Sequence, residues 1–375
     1  MLAMESKSHV TPIFIVGATG TGKSAAAMEV ARDLARAGFQ TAILAMDAMQ
    51  VYRGADIGTS KPTAAERAEV PHGGLDLVDF GAPVVGSKGG FDVAQYLKRA
   101  ADFLREQSEA ARRVIVVGGT GLYFRALTRG LCEAPQAPDE LRAELAALSV
   151  AELQARLKAV DPAMLGRIDA ANPRRLARAI EVKEATGKSL REWQEETPEP
   201  LVRDFTAIWI QREKAELEAR IAARVEAMFA AGWVEEVRGL VERYGIEAVK
   251  GFVGIGYREI AEAMELRGQV RSQAPAEGGK LGNEEAASFD LTKARSPGQQ
   301  VVRATRAEEG TGARACAGYL VGTATLKRNI LVATRQYAKR QLTWFAREPK
   351  LRPVMLIGSQ PLSAVLRMAV PTAVV

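Results

Sequence analysis

Eight consecutive residues near the start of the chain form a phosphate-binding pattern. The pattern G-x-x-x-x-G-K-[ST] is matched by Gly17, Ala18, Thr19, Gly20, Thr21, Gly22, Lys23 and Ser24. Its glycines let backbone N–H groups turn toward phosphate oxygens, Lys23 adds a full positive charge, and the Ser24 hydroxyl can ligate Mg²⁺. The pattern predicts a P-loop for a diphosphate or triphosphate, but it does not specify the reaction.

The supply of histidine and cysteine limits the other chemistry. The chain has two histidines, His9 and His72, and two cysteines that lie far apart, Cys132 and Cys316. A disulfide framework and a Cys/His zinc site are therefore not supported. Few histidines are available for mechanisms that need a positioned imidazole. Acid–base chemistry is left to carboxylates, and any metal should be a hard ion held by oxygens.

Positive charge is concentrated near the end of the chain. The whole chain carries +6, and the stretch 327–352 carries +7, from eight basic residues against Glu348, which leaves −1 elsewhere. The basic residues are Lys327, Arg328, Arg335, Lys339, Arg340, Arg347, Lys350 and Arg352. Such a patch suits a polyanion such as nucleic acid, and the alternative is a solvated helix face.

Short apolar runs alternate with stretches of helical composition. The runs 13–16, 42–45 and 114–117 predict strands, and 25–37 and 91–107 predict helices. This alternation predicts an α/β fold, a P-loop NTPase-like parallel sheet flanked by helices, with an inserted helical subdomain. Ligands of such sheets bind beyond the carboxyl ends of the strands, where the P-loop, Asp47 and 118–121 fall.

Segment boundaries follow from the pattern along the rest of the chain. The predicted segments are 11–134, the first part of the core; 135–186, a helical insertion; 187–267, the second part of the core; 268–322, a low-complexity and poorly ordered insertion; 323–358, a basic helix that completes the core; and 359–375, a tail. Within 187–267, an apolar stripe predicts a helix packed on the core, and it consists of Leu217, Ile221, Val225 and Met228.

No apolar run approaches the ~20 residues needed to span a bilayer. The first residues also lack the charged-then-apolar layout of a secretory signal. A cytoplasmic protein without a membrane partner is the expectation.

A longer motif follows the second apolar run. Asp47 to Pro62 reads D-A-M-Q-V-Y-R-G-A-D-I-G-T-S-K-P. It resembles the D-S-x-Q-x-Y-x-G-x-D-I-G-T-x-K-P stretch of the tRNA dimethylallyltransferase (isopentenyltransferase) family. The resemblance continues, in the family's order, at 118–123, 172–182, 254–259 and 334–345, and it covers the chain from Thr11 to about Arg347 apart from the insertion.

The resemblance implies a reaction. A dimethylallyl group passes from dimethylallyl diphosphate to N6 of the adenosine 3′-adjacent to the anticodon in tRNA, with Mg²⁺ as cofactor and without nucleotide hydrolysis. Asp47 matches the family's general base, although a helix N-cap or strand-end turn would also place an aspartate there. Thr120 matches a hydroxyl beside the reacting groups.

The resemblance also assigns residues to the two substrates. Arg175 joins Lys23, Ser24 and Mg²⁺ in holding the diphosphate; Arg224 is a further candidate that could equally be a solvated helix residue near Arg220. The residues that match tRNA-contacting segments are Asp47, Ala48, Met49, Gln50, Arg142, Arg174, Arg175, Leu176, Ala177, Arg178, Val253, Gly254, Ile255, Gly256, Tyr257, Arg258, Arg335, Lys339 and Arg340.

Some choices stay open at the level of sequence. Tyr337 and Trp344 could stack on bases or pack in the core, and Ala48 replaces the family's usual serine. The expected partners are the anticodon stem-loop of tRNA and dimethylallyl diphosphate, and the chain is expected to be a monomer. Two rivals remain: a synthase that modifies free AMP or ADP, and a P-loop kinase, ATPase or regulatory binding module.

Overall fold

The structure is a computed structural model that describes residues 11–81, 91–272, 287–290, 303–306 and 313–358. For 267–272, 287–290, 303–306 and 313–322 it describes the backbone alone. The predicted tail, 359–375, and most of the predicted insertion, 268–322, lie outside these residues.

Strands and helices alternate along the described chain. Its strands are β1 (Ile13–Gly17), β2 (Thr41–Met46), β3 (Tyr52–Arg53), β4 (His72–Gly73), β5 (Val78–Asp79), β6 (Arg113–Gly118), β7 (Thr206–Arg212), β8 (Ala287–Asp290), β9 (Arg303–Arg306) and β10 (Arg352–Leu356). Its helices are α1 (Lys23–Arg36), α2 (Ala64–Glu69), α3 (Val93–Glu109), α4 (Gly121–Arg129), α5 (Asp139–Ala147), α6 (Val150–Val160), α7 (Pro162–Leu165), α8 (Pro173–Thr186), α9 (Leu190–Glu195), α10 (Lys214–Ala230), α11 (Trp233–Tyr244), α12 (Ile246–Gly251), α13 (Tyr257–Ser272) and α14 (Ala313–Phe345).

Six strands form one parallel sheet in the order β10-β7-β1-β6-β2-β4. Every residue of β1 and β2 is buried, because helices cover both faces of a parallel sheet and its strands read as continuous apolar runs. The α/β class and the predicted strands at 13–16, 42–45 and 114–117 are confirmed.

The sheet brings three chain segments to one edge. Strands β1, β6 and β2 are neighbours, with Ile15 paired to Val117 and Val117 in turn facing Ala45. Their carboxyl ends lead into the P-loop, into Gly119 and into Asp47. A Cβ on Gly118 would lie 2.0 Å from the Met46 carbonyl oxygen, so a side chain there would push β6 and β2 apart.

Helix α10 fixes the position of the P-loop through apolar contacts. Leu217 and Ile221 are buried with Ala18 of the loop and with Ala338 of α14. The predicted stripe on α10 is therefore confirmed as a buried face. By packing two helices against the loop, the fold fixes the polar groups that those helices carry.

The chain divides into two compact units, the second formed by Val93–Ala101 and Leu122–Asp204. Its core is a helical cluster that includes Leu145, Leu157 and Ile180. Helix α8 begins with the Asn172 side chain accepting the N–H groups of Arg174 and Arg175 and with Pro173 at the first helical position. The boundaries 135–186 lie within this unit and stay a prediction.

None of the helices in the described ranges is long and apolar enough to cross a membrane.

Candidate active site

A cavity of about 530 Å³ opens at the carboxyl ends of the central strands, within the first unit. Polar groups from at least five different parts of the chain line it, among them Thr19, Lys23, Asp47, Thr120, Arg224 and Gln341. The P-loop, the candidate base and the candidate hydroxyl therefore share one space, as the carboxyl-end rule predicts.

The P-loop is held from its carbonyl side. The Thr21 hydroxyl donates to the Ala18 carbonyl oxygen at 2.8 Å. Arg212 Nε donates to the Thr21 carbonyl oxygen and Arg220 Nε to that of Gly20, each at 2.9 Å. Because these carbonyls are engaged, groups of the protein itself hold the turn of the loop. Arg220 therefore acts on the loop itself.

The loop's backbone requires glycine at two points. Gly20 and Gly22 have φ of +83° and +92°, in the left-handed region where a side chain is strained. Gly22 is followed by Lys23, the first residue of α1, so the helix N-terminus faces the cavity side of the loop. Ser24 lies in the first helical turn with an exposed side chain.

Two cations and one carboxylate face one another across the cavity. Burial and the neighbouring Arg224 charge lower the pKa of Lys23 to about 8, while the Asp47 charge raises it. Burial also lowers the pKa of Arg224, and Asp47 again opposes the shift. Since burial lowers the pKa of both cations, a bound anion would favour their charged forms. The arrangement suits a diphosphate.

Asp47 and Thr120 are positioned by backbone N–H groups of the same turn. The Met49 N–H donates to Asp47 Oδ1 at 2.9 Å, and the Ala48 N–H donates to Thr120 Oγ1 at 3.0 Å. Asp47 therefore does stabilise the turn after β2. It also lines the cavity, where it could act as a base. A hydroxyl that accepts one hydrogen bond still has a proton to donate. The contact of Ala48 uses its backbone, so the missing serine does not disturb it.

One wall of the cavity is a loop built around a buried lysine. Lys61 Nζ donates to Asp56 Oδ1 at 2.7 Å and to Asp76 Oδ1 at 2.6 Å. Gln50 Nε2 donates to the carbonyl oxygens of Thr59 and Ser60, both at 3.1 Å. Much of the motif between 47 and 62 therefore shapes the wall.

The segment 253–258 divides into buried and exposed residues. Tyr257 is fully buried, and a Cβ on Gly256 would lie 2.1 Å from the Trp233 ring. Val253 is 49% exposed, and the exposed Arg258 donates through Nε to the Lys250 carbonyl oxygen. Gly254 and Ile255 line the cavity with Val253. Tyr257 is therefore part of the protein core, whereas Val253 and Arg258 are accessible to a partner at the surface.

Helix α14 presents a cavity face and an outer face. Arg335, Lys339 and Arg340 are exposed, and Arg340 also lines the cavity beside Tyr337. Burial, followed by the Asp47 charge, raises the pKa of Tyr337 above its ordinary range.

Trp344 of α14 takes a packing position. A Cβ on Gly121 would lie 2.3 Å from its ring, and its ring meets that of Phe345 edge-on, with centroids 5.2 Å apart. Of the two alternatives for this aromatic, the structure favours packing.

The remaining tRNA candidates lie on the second unit. Arg174 and Arg175 are exposed on α8, and Leu176 is fully buried in the helical core, so its side chain packs rather than presents a surface. Arg178 is held by the carbonyl oxygens of Ala134 and Pro135 at 2.6 and 3.0 Å.

Two further candidates on this unit complete the predicted set. Arg142 pairs with Asp139 at 3.4 Å, and Ala177 is half-buried. The roles assigned to Arg175 and its neighbours stay predictions.

Two residues that sequence reasoning did not single out hold the site together. Gln341 contacts both the P-loop and Gly119, and Glu236 accepts N–H groups from the wall loop. Gln341 lies inside the motif block 334–345, but no local pattern distinguishes this glutamine from its neighbours. Glu236 lies outside every matched block, and no local pattern distinguishes it.

Few protein groups are available for a metal. Among the described residues, no cluster of three or more His, Cys, Asp or Glu side chains could hold an ion. Ser24 offers a hydroxyl beside the P-loop, which suits a hard ion that takes its other ligands from phosphate oxygens and water.

Known proteins resemble this chain in sequence. The family model of IPP transferase matches residues 50–286 and 284–348. The tRNA dimethylallyltransferase of Methylacidiphilum infernorum is 43% identical over 260 residues, 69% of this chain and 75% of its own. That of Syntrophobacter fumaroxidans is 36% identical over 349 residues, 91% of this chain and 82% of its own.

A solved structure has the same architecture. The full-length tRNA isopentenylpyrophosphate transferase of Bacillus halodurans is 27% identical, with a TM-score of 0.54, covering 96% of this chain and 94% of its own. The comparisons confirm the family resemblance and the enzyme class inferred from the motifs. The chain therefore belongs to the IPP transferase family.

Proposed function

We propose that this chain transfers a dimethylallyl group from dimethylallyl diphosphate to N6 of the adenosine 3′-adjacent to the anticodon in tRNA. The observation that carries the proposal is the shared cavity, in which a P-loop, a carboxylate and a hydroxyl meet. A P-loop cavity that also holds a carboxylate and a hydroxyl suits transfer of a group from a diphosphate donor. The names of the curated relatives support the same substrate class.

The donor's diphosphate lies on the P-loop in this proposal. Lys23, Arg224 and the loop's N–H groups hold it, and they stabilise the negative charge that grows as the carbon–oxygen bond breaks. Arg175 is proposed to join them. The Ser24 hydroxyl would hold Mg²⁺, which when bound supplies further neutralisation of the diphosphate charge.

The acceptor reacts at the other side of the cavity. Its N6 nitrogen forms a bond to the allylic carbon, the diphosphate leaves with the bonding electrons, and the N6 proton passes to Asp47. Thr120 is proposed to donate a hydrogen bond that orients the reacting groups. The Met49 N–H donates to Asp47 Oδ1 and so helps to orient the carboxylate.

The tRNA reaches this cavity through an unstacked base. Enzymes that modify a base take it out of its stack, and RNA specificity is exercised on splayed loops. The exposed residues next to the cavity suit that contact: Val253 and Arg258 on one side, and Arg335, Lys339 and Arg340 on α14. A cytoplasmic monomer stays the expectation.

The test uses the full chain with dimethylallyl diphosphate, Mg²⁺ and unmodified anticodon stem-loops. Mass spectrometry should find a prenylated adenosine in the loop, and chelation of divalent ions should suppress it. Two parallel reactions replace the stem-loop by AMP and the donor by ATP. Product on AMP alone would favour a free-nucleotide synthase, and ADP released in step with turnover would favour a kinase or ATPase.

A further inference from the structure

We propose that Gln341 is a positioning residue that holds the P-loop and the Gly119–Thr120 turn at a fixed separation. The Thr19 N–H donates to Gln341 Oε1 at 2.9 Å, and Gln341 Nε2 donates to the Gly119 carbonyl oxygen at 2.8 Å. One side-chain amide thus joins the two segments. The identity of the two substrates rests on the proposed function, whereas the role of Gln341 rests on this geometry.

The surroundings of Gln341 are built for that amide. Its side chain is buried, at 7% exposure, and it lines the cavity. A Cβ on Gly119 would lie 2.3 Å from Nε2, so the glycine leaves the space that the amide occupies. Ala338, one turn earlier on α14, is buried against the helix that supports the P-loop. The backbone that carries Gln341 is therefore fixed on the same scaffold as the loop.

The two partners of Gln341 belong to the two halves of the reaction. Thr19 is part of the loop that receives the diphosphate. Gly119 precedes Thr120, whose hydroxyl holds the Ala48 N–H beside Asp47. Gln341 therefore links the loop that is proposed to bind the donor to the turn that carries Thr120.

The chemistry of the contact specifies glutamine. The site needs one acceptor, for the Thr19 N–H, and one donor, for the Gly119 carbonyl, on a single short group. An amide supplies both; an ionised carboxylate only accepts and an aliphatic side chain does neither. A protonated carboxylic acid again supplies both, because its hydroxyl donates. A glutamate at this position should therefore act as a switch that pH controls.

The expected effect of Gln341→Glu follows from this difference. At neutral pH the carboxylate faces the Gly119 carbonyl oxygen and repels it, so the loop and the turn separate. Affinity for diphosphate should fall at least about tenfold, the scale of one lost buried hydrogen bond. Burial raises the pKa of a carboxyl group, so moderately acidic pH should protonate the introduced glutamate and restore the affinity.

Other ionisable groups face the same cavity. They are Lys23 of α1, Asp47 after β2, Lys61, Glu66 of α2, His72 of β4, Arg224 of α10, Tyr257 of α13, and Tyr337 and Arg340 of α14. All are present in the wild type and in every variant. The titration of these groups and of the diphosphate affects wild type and variant alike. The ratio of variant to wild-type affinity at each pH therefore reports the titration of the introduced glutamate.

The experiment measures binding of inorganic diphosphate with Mg²⁺ by calorimetry, without RNA, from about pH 5.5 to about pH 8. It compares the full-length wild type with Gln341→Glu and with Gln336→Glu, which adds the same charge at an exposed position of α14. The Gln341→Glu ratio should recover as pH falls, and the Gln336→Glu ratio should stay near one. Wild-type affinity in Gln341→Glu at neutral pH, or a loss that acid does not reverse, would overturn the proposal.

A second variant covers the case in which Gln341→Glu does not fold. Gln341→Leu removes both hydrogen bonds without adding a charge, so it should lose at least about tenfold in diphosphate affinity at every pH. Unchanged affinity in that variant would also overturn the proposal. If the wild type binds diphosphate but prenylates no adenosine, the proposed function fails while the role of Gln341 is still decided by these ratios.

Discussion

The Tyr257 hydroxyl donates a hydrogen bond to the Glu236 carboxylate at 2.6 Å. The same carboxylate accepts the backbone N–H groups of Asp56, Ile57 and Gly58 at 2.9, 2.6 and 3.3 Å. Two motifs that are far apart in the sequence, at 47–62 and 254–259, therefore meet on one side chain that belongs to neither. This carboxylate holds the wall of the cavity.

Replacing Glu236 by Gln should destabilise the protein by about 1–3 kcal/mol. The carboxylate is surrounded by four donors, whereas an amide turns one N–H₂ group toward them and leaves at least one donor unpaired. Urea denaturation measures the change in the free energy of unfolding, and the dependence of that free energy on urea concentration should be the same in variant and wild type. Glu235→Gln is the matched control, since Glu235 is exposed and 3.9 Å from Arg238. Equal losses in the two variants would mean that the four donors do not depend on Glu236.

Replacing Asp47 by Asn should leave the turn intact and slow the reaction. An asparagine oxygen can still accept the Met49 N–H, but the amide cannot take the N6 proton. The single-turnover rate should fall at least ~10²-fold while tRNA affinity is kept. Asp79→Asn, at an exposed site on β5, controls for the loss of a negative charge. An Asp47→Asn enzyme with full rate would remove this residue from the mechanism.

The structure separates two arginines that the sequence alone left equivalent. Arg224 lines the cavity with Lys23, whereas Arg220 bonds to the P-loop carbonyl of Gly20. Arg224→Ala should therefore lower kcat/KM for the donor about 10²-fold, the usual effect of a lost charge-stabilising group. Arg220→Ala should cost about tenfold or less, the scale of one hydrogen bond. Steady-state kinetics at saturating tRNA measure both losses. A larger loss in Arg220→Ala than in Arg224→Ala would mean that Arg220, and not Arg224, stabilises the diphosphate.

Much of this site could be predicted because it is local in sequence. The P-loop lies in eight consecutive residues, and the strands before it, before Asp47 and before Gly118 are continuous apolar runs. The rule that ligands gather at the carboxyl ends of parallel strands then brings the segments together. The buried stripe on α10 follows in the same way from helical periodicity.

The rest of the site depends on pairs that no local pattern contains. Gln341 and Thr19 are 322 residues apart, and Gln341 and Gly119 are 222 apart. Such contacts are set by how helices pack on the sheet, which one sequence does not show. The burial of individual motif residues also depends on packing. Leu176 and Tyr257 lie in matched motifs, and the packing of the helices, rather than a polar pattern in the sequence, places both side chains inside.

The basic residues of α14 should set the salt dependence of tRNA binding. Arg335, Lys339 and Arg340 are exposed on this helix, so each can neutralise an RNA phosphate. Replacing all three by Ala should weaken tRNA binding and lower the slope of log affinity against log salt by about two, since each contact to a single strand contributes about 0.7. Filter binding over a salt series measures the slope.

Lys327→Ala provides the matched control on the same helix, because its ammonium already pairs with Glu226 and lies over the Phe229 ring. A lysine with those partners should add little to the slope. Diphosphate affinity should stay near the wild-type value in a double variant, Arg335→Ala with Lys339→Ala, which keeps the cavity-lining Arg340, since phosphate contacts of this kind position the RNA and not the donor. A fall in both affinities would indicate damage to the fold around α14. An unchanged slope in a well-folded triple variant would show that these residues form a solvated face.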